Sequence, residues 1–180
     1  MVVIINGLPR AGKSQFVQYC KEVTKPYHVF EYSTVDFVKD LAKQSGWDGT
    51  KTAENRKFLS DLKDLLTQWN DVPFKKTGAF VQQAYNAAVE SSIPPEEVLI
   101  FVHCREPQEI QKFVDYFGND CITLLIRRAA VENNKQSNHA DEQVFDFNYG
   151  LILTNDGTLE DLQAQARWFV SGLLGEETLK

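Results

Sequence analysis

Near the start of the chain stand four residues whose types and spacing suit the binding of a phosphate: Gly7, Gly12, Lys13 and Ser14. They form the pattern G-x-x-x-x-G-K-S, which follows an apolar run and precedes a stretch of helical period. Glycines let consecutive backbone N–H groups curl round an anion, and a helix beginning there points its positive dipole end at it. Lys13 then reaches the β- and γ-phosphates, and the Ser14 hydroxyl suits Mg²⁺. We therefore predict a nucleotide phosphate site, against the simpler alternative of a glycine turn with an exposed lysine.

The loop must be positioned by the elements around it. Along the chain, short apolar runs alternate with longer segments of helical period, which is typical of a parallel α/β sheet. The predicted strands are Val2 to Asn6, His28 to Tyr32, Val98 to Cys104, Cys121 to Ile126, and Leu151 to Thr154. The predicted helices cover Gly12 or Lys13 to Val23, Ser33 to Ser45, a segment around Phe58 to Trp69, Thr77 to Ser91, Pro107 to Gly118, and Thr158 to Leu174. Thr24, Lys25 and Pro26 should end the first of these helices.

The clearest helix carries an apolar stripe, which we expect to face the protein core. Its apolar residues recur at helical spacing; they are Phe58, Leu59, Leu62, Leu65, Leu66 and Trp69.

The motif GLPRAGKS, in this alternation of strands and helices, resembles the nucleoside monophosphate kinase-like group of P-loop kinases. The likeness extends to deoxynucleotide monophosphate kinases and animal-type phosphomevalonate kinases. It implies a three-layer α/β fold with a five-stranded parallel sheet ordered 2-3-1-4-5. It also implies ATP with Mg²⁺, and transfer of the γ-phosphoryl group to a small phosphorylated acceptor. On this basis residues 1–180 form one kinase domain, with an acceptor-binding helical region at about 34–92 and a short lid at about 127–140.

The resemblance also assigns residues to the cofactor. Those predicted to contact it are Gly7, Arg10, Ala11, Gly12, Lys13, Ser14, Gln15 and, in the loop expected to touch the adenine base, Asn155. An ordinary turn before the last helix would explain Asn155 nearly as well.

Three residues are predicted to bind the acceptor: Asp36, Arg56 and Arg105. Asp36 lies in YSTVDFVKD, where Ser33-x-x-Asp36 also fits a capping box. Arg56 could meet the acceptor's phosphate or take part in a surface ion pair. Arg105 follows the strand VLIFV, at the sheet edge where α/β proteins bind ligands, and a guanidinium there grips phosphate bidentately. The alternative partner for Arg105 is a carboxylate at the next helix start.

The chain departs from the family at the end of that strand, where an Asp usually holds magnesium through water. His103 or Cys104 stands there instead, and Asp36 or Glu106 is the candidate replacement beside Ser14.

Arg127 and Arg128 lead from the fourth strand into the predicted lid. Phosphoryl transfer needs positive charge round the moving group and exclusion of water, which lid arginines supply on closure. We therefore predict a catalytic role for Arg127 or Arg128 beside Lys13. A basic surface turn is the alternative.

Composition excludes several classes of protein. A formal net charge of −6 disfavours a nucleic-acid binder, and no run approaches the length of a membrane span. Three cysteines without C-x-x-C spacing favour a reduced, cytoplasmic setting. The partner predicted is a small-molecule phosphate acceptor, while the oligomeric state stays open. A regulatory nucleotide switch and a kinase acting on a hydroxyl are the alternative functions.

Overall fold

The computed structural model describes residues 1–23, 28–132 and 143–173. Its five strands are parallel and form one sheet in the order β2-β3-β1-β4-β5, which confirms the predicted order. The strands are β1 (Val2–Asn6), β2 (His28–Ser33), β3 (Val98–His103), β4 (Cys121–Arg127) and β5 (Leu151–Thr154).

Seven α-helices lie within the described residues. They are α1 (Lys13–Val23), α2 (Asp36–Gln44), α3 (Ala53–Asn70), α4 (Val72–Glu90), α5 (Pro107–Phe117), α6 (Ala129–Glu132) and α7 (Leu159–Leu173). The start of α4 differs most from prediction, five residues before the expected Thr77. Asp71 takes a left-handed conformation that ends α3, and Pro73 then fits the first turn of α4, where its missing N–H is not needed. Thr24, Lys25 and Pro26 lie outside the described residues.

The central strands β1, β3 and most of β4 are buried on both faces, so their side chains divide between two apolar layers. In β1, Val2 and Ile4 face the layer that includes residues of α4 and α5, whereas Val3 and Ile5 face that of α1 and α7. Strands covered on both sides read as continuous apolar runs, which explains why VVIIN and VLIFV were recognisable. The architecture has three layers, helices–sheet–helices.

The central position of β1 determines where the loop after it lies. All five residues of β1 are buried, and β3 and β4 flank it. Since parallel strands end at one edge, residues that follow β1, β3 and β4 share that edge, where α/β sheets bind ligands.

The apolar stripe of α3 faces the core only in part, which corrects the prediction. Leu59, Leu62 and Leu66 are half-buried, but Trp69 is 81% exposed, Leu65 61% and Phe58 41%. The buried residue of α3 is Lys63. Trp168, in α7, is also largely exposed. Periodicity identified the helix correctly but not the direction of its stripe.

Among the described residues, no helix combines the length and the apolar character that crossing a membrane requires.

Candidate phosphate site at the carboxyl edge of the sheet

The loop between β1 and α1 is tightly curled, with positive φ angles at three residues. They are +148° at Gly7, +66° at Arg10 and +102° at Gly12. A β-carbon at Gly7 would lie 2.3 Å from the carbonyl oxygen of Ile126, and one at Gly12 would lie 2.3 Å from Nδ2 of Asn155. Both glycines of the motif are therefore required by close contacts as well as by backbone conformation.

The Lys13 ammonium lies over this loop. It donates to the carbonyl oxygens of Gly7 at 2.5 Å and Leu8 at 2.9 Å. Lys13 is the first residue of α1, whose first turn carries no acidic side chain. The first N–H groups of an α-helix lack partners within it and carry partial positive charge. Loop, helix end and ammonium together fit a phosphate chain.

The other residues predicted to contact the nucleotide lie in this loop or in the first turn of α1. Arg10, Ser14 and Gln15 are exposed, and Ala11 is buried with its N–H donating to the Leu8 carbonyl at 3.1 Å. Ser14 lies in the first turn of α1, and its role as a ligand of Mg²⁺ stays a prediction.

Asn155 supports the loop from the end of β5. Its buried amide donates to the Ala11 carbonyl at 2.9 Å, and its backbone N–H donates to the Arg127 carbonyl at 2.7 Å. These bonds join the end of β5 to the loop after β1 and to the end of β4, and the proposed contact with adenine stays a prediction.

Asn6 joins the start of the loop to two other segments, a role that sequence analysis missed. Its amide donates to the Tyr149 hydroxyl at 2.6 Å and to the Arg105 carbonyl at 3.1 Å, and its Oδ1 accepts from the Gly7 N–H at 2.7 Å. The available signal was a lone amide at the end of an otherwise apolar buried strand.

A buried ionic cluster lies just beyond β3. The Lys63 ammonium is 2.5 Å from a Glu106 carboxylate oxygen and 2.7 Å from one of Glu109. The Cys104 thiol donates to Glu109 at 3.3 Å. This cluster connects α3 to the amino end of α5, 43 to 46 residues further along the chain.

Burial and the neighbouring charges shift the pKa values of the cluster in opposite directions. Burial alone would lower the pKa of Lys63, but Glu109 and Glu106 outweigh it and hold the pKa raised. Burial raises the pKa of Glu109, whereas at Glu106 the nearby ammonium prevails and the pKa is lowered. The two carboxylates share one ammonium, so they resist ionising together. The pKa of the Cys104 thiol is raised well above normal, chiefly by burial.

Three residues of this cluster could also be considered as ligands for magnesium. Ligand atoms of Cys104, Glu106 and Glu109 lie within 4.8 Å of one another. Lys63 already supplies a positive charge to both carboxylates, and a protonated thiol is a poor ligand for Mg²⁺. A magnesium role for Glu106 through water therefore stays a prediction, with its carboxylate committed to Lys63.

His103, the other residue at the expected Asp position, makes a separate pair. Its Nε2 is 2.8 Å from Glu31, which also contacts the Lys21 ammonium at 2.7 Å. The His103 hydrogen bond is the main cause that lowers the pKa of Glu31, to about 2, with a further contribution from Lys21 against the effect of burial. This pairing ties β2 to β3 and to α1.

The predicted acceptor residues lie on α2, on α3 and after β3. Asp36, the first residue of α2, accepts from the Ser33 N–H at 2.8 Å, which is one of the two bonds of a capping box, and from the Lys39 ammonium at 2.8 Å. Arg56 is exposed and makes no ion pair with the described residues. It lies seven residues before Lys63, about two turns away on the same face of α3. The half-buried Arg105 directly follows Cys104.

Only residues 127–132 of the predicted lid are described, and 133–140 lie outside the described residues. The Arg127 guanidinium binds the Glu132 carboxylate at 2.6 and 2.9 Å and lies 5.2 Å from the centre of the Phe145 ring. Arg128 is exposed. The catalytic role of either arginine stays a prediction.

Two cavities lie away from the loop between β1 and α1. One of about 490 Å³ is lined by Cys121 and Leu151, the first residues of β4 and β5. The other, of about 370 Å³, is lined by Met1 and Val98, at the start of β3. Both are at the amino ends of the strands, the edge opposite the candidate site.

Comparison with known proteins found similarity at the level of structure. No family model matches the chain, and no significantly similar curated protein was found. An APS kinase of Mycobacterium tuberculosis is 17% identical with a TM-score of 0.44, covering 97% of this chain and 96% of that one. A shikimate kinase of Aquifex aeolicus is 10% identical with a TM-score of 0.45, covering 98% and 100%. A sugar kinase of Janibacter sp. is 14% identical with a TM-score of 0.42, covering 97% and 94%. Likeness at this level does not extend to activity or substrate.

Proposed function

We propose that this protein is a kinase that transfers the γ-phosphoryl group of Mg·ATP to a small acceptor that already carries a phosphate. The observation that carries the proposal is the G-x-x-x-x-G-K-S loop itself, folded between a central buried strand and a helix. Its glycines take left-handed φ angles, and the Lys13 ammonium lies over its backbone. This arrangement presents donors to an anionic phosphate chain.

In this proposal, catalysis consists of positioning and charge neutralisation. Lys13 and the amino end of α1 hold the β- and γ-phosphates, and Ser14 holds Mg²⁺, which neutralises charge on the transferring group. A monophosphate acceptor presents an oxygen that is already ionised, so no general base is needed. Arg127 or Arg128 completes the positive environment.

The acceptor would be held by Arg56 and Arg105. Asn6 joins the Arg105 backbone to the phosphate loop, and Lys63 connects the Arg56-bearing helix to the residue after Arg105. With Arg56 and Arg105 as its ligands, the site would favour a phosphorylated acceptor over a neutral one. A hydroxyl kinase would need a carboxylate base such as Asp36, which is already engaged by Ser33 and Lys39.

The test is ADP release from Mg·ATP with a panel of acceptors: nucleoside and deoxynucleoside monophosphates, phosphomevalonate and small alcohols. We expect one phosphorylated acceptor to raise turnover, and Lys13→Ala to reduce it by about 10²-fold or more. Arg105→Ala and Arg56→Ala should raise the KM for the acceptor more than the KM for ATP. Lys57→Ala, which alters an exposed cation of the same helix, is the matched control.

Turnover that no acceptor raises above background, with ATP still bound, would contradict the kinase proposal and favour a nucleotide switch. Turnover with an alcohol alone, abolished by Asp36→Asn, would favour the hydroxyl kinase.

A further inference from the structure

Part of the six-residue apolar stripe of α3 faces solvent. Leu59 and Leu66 are half-buried and lie on the side of the helix that carries Lys63, whereas Phe58, Leu62, Leu65 and Trp69 form an exposed stripe beside them. Trp69 is 81% exposed, Leu65 61% and Phe58 41%, and Leu62 between them is partly exposed. Lys63, which anchors α3 to the body of the protein, lies roughly 120–160° round the helix from the first three. These three side chains therefore point away from the Lys63 cluster.

The spacing within the stripe has an internal symmetry. Its members are separated by four, three and four residues, and their order is aromatic, leucine, leucine, aromatic. Such 4-3-4 spacing is that of a helix seam that packs against another helix. The pattern reads the same in both directions, so a two-fold axis between Leu62 and Leu65 would place aromatic against aromatic and leucine against leucine. This is the self-complementary surface that a two-fold interface requires.

Charge at the border of the stripe is compatible with a second copy. Lys57 and Asp61, on one flank, pair with each other at 2.5 Å within the same helix. Two copies can therefore approach along the stripe without an unpaired charge from Lys57 or Asp61 at the contact.

The area of the stripe indicates the strength of such an association. Aromatic side chains bury 150–250 Å² each, so the exposed parts of the three side chains offer roughly 300–400 Å². That is within the range where an exposed apolar patch marks an interaction site, but about half of what one partner buries in a standard interface. The contact should therefore be weak and dependent on concentration.

We propose that the α3 stripe of Phe58, Leu62, Leu65 and Trp69 is the interface of an antiparallel homodimer with two-fold symmetry. In it Phe58 packs on the partner subunit's Trp69, and Leu62 on the partner subunit's Leu65. This inference does not depend on the proposed kinase activity, because it rests only on the exposure and spacing of four apolar residues.

Sedimentation velocity of the full chain over the micromolar concentration range tests the proposal. We expect a monomer–dimer equilibrium whose dissociation constant rises about tenfold or more in Leu65→Glu and in Trp69→Gln. Val89→Glu and Trp168→Gln replace exposed apolar residues of other helices and should leave the dissociation constant unchanged. Thermal unfolding of each variant checks that the chain is still folded.

Disulfide trapping tests the orientation. A mixture of the variants Leu62→Cys and Leu65→Cys should form a mixed disulfide more readily than either variant forms one alone. Faster cross-linking of each variant with itself would indicate parallel helices and overturn the antiparallel arrangement. A chain that stays monomeric throughout the range, or a dimer that the stripe variants do not weaken, would overturn the proposal. So would a monomer that uses the stripe only to bind a different protein.

Discussion

Gly12 and Gly46 have nearly the same φ angle but different surroundings. Their φ angles are +102° and +98°. A β-carbon at Gly12 would meet the Asn155 amide at 2.3 Å, whereas one at Gly46 would meet nothing within 4 Å. The pair therefore separates the cost of an unfavourable φ angle from the cost of a steric clash.

We predict that Gly46→Ala lowers the free energy of unfolding by about 1 kcal/mol, through backbone strain alone. Gly12→Ala should lower the free energy of unfolding by about 1–3 kcal/mol more than Gly46→Ala does, because the loop or Asn155 must move. The excess should largely disappear in an Asn155→Ala background, where the clashing amide is absent. Urea unfolding of the four variants gives these values. Equal costs at the two glycines would show that the Asn155 contact does not constrain the loop.

At the scale of elements, one buried cation joins α3 to α5. Lys63 is largely enclosed by protein and serves both Glu106 and Glu109, while Lys57, six residues earlier, pairs with Asp61 in solvent. Removing the cation from a buried cluster leaves uncompensated carboxylates, whereas an exposed pair contributes little.

We therefore expect Lys63→Met to lower the free energy of unfolding by about 3–5 kcal/mol, and Lys57→Met by less than about 0.5 kcal/mol. Adding Glu109→Gln to Lys63→Met should recover part of the loss, since one unpaired carboxylate is removed. Urea denaturation measures all three. A Lys63→Met variant as stable as Lys57→Met would contradict the structural role of the cluster.

At the scale of the whole molecule, acid stability depends on carboxylates that are paired only in the folded chain. Glu31 is the clearest case, because it connects β2 to His103 in β3 and to Lys21 in α1. Its pKa falls from the ordinary 4.5 to about 2 on folding, mainly through the His103 hydrogen bond. A lowered pKa in the folded state stabilises the protein above pH 4.5, and that stabilisation is lost as the pH falls towards 2.

We predict that Glu31→Gln lowers the free energy of unfolding at neutral pH by about 1–2 kcal/mol. The difference in the free energy of unfolding between the variant and the parent chain should narrow as the pH falls from 4.5 to 2, because the Glu31 carboxylate of the parent itself becomes protonated. Denaturant unfolding across this pH range measures it. Glu90→Gln, at an exposed glutamate, is the control and should show no such trend. A difference that is constant with pH would exclude ionisation of Glu31 as its cause.

The sequence by itself was sufficient for the order of elements along the chain and for the tight loop between β1 and α1. Continuous apolar runs such as VVIIN and VLIFV marked strands buried on both faces, and the loop motif predicted a sharp turn before a helix. These features depend on residues close together in the chain, so local pattern identifies them.

Tertiary structure alone decided which distant side chains meet. Lys63 with Glu106, Glu31 with His103, and Asn6 with Tyr149 are separated by 43, 72 and 143 residues. Helical periodicity likewise located the α3 stripe but could not show that Lys63, and not Trp69, faces the body of the protein. Periodicity defines the faces of a helix, and the packing of the whole chain determines which face is buried.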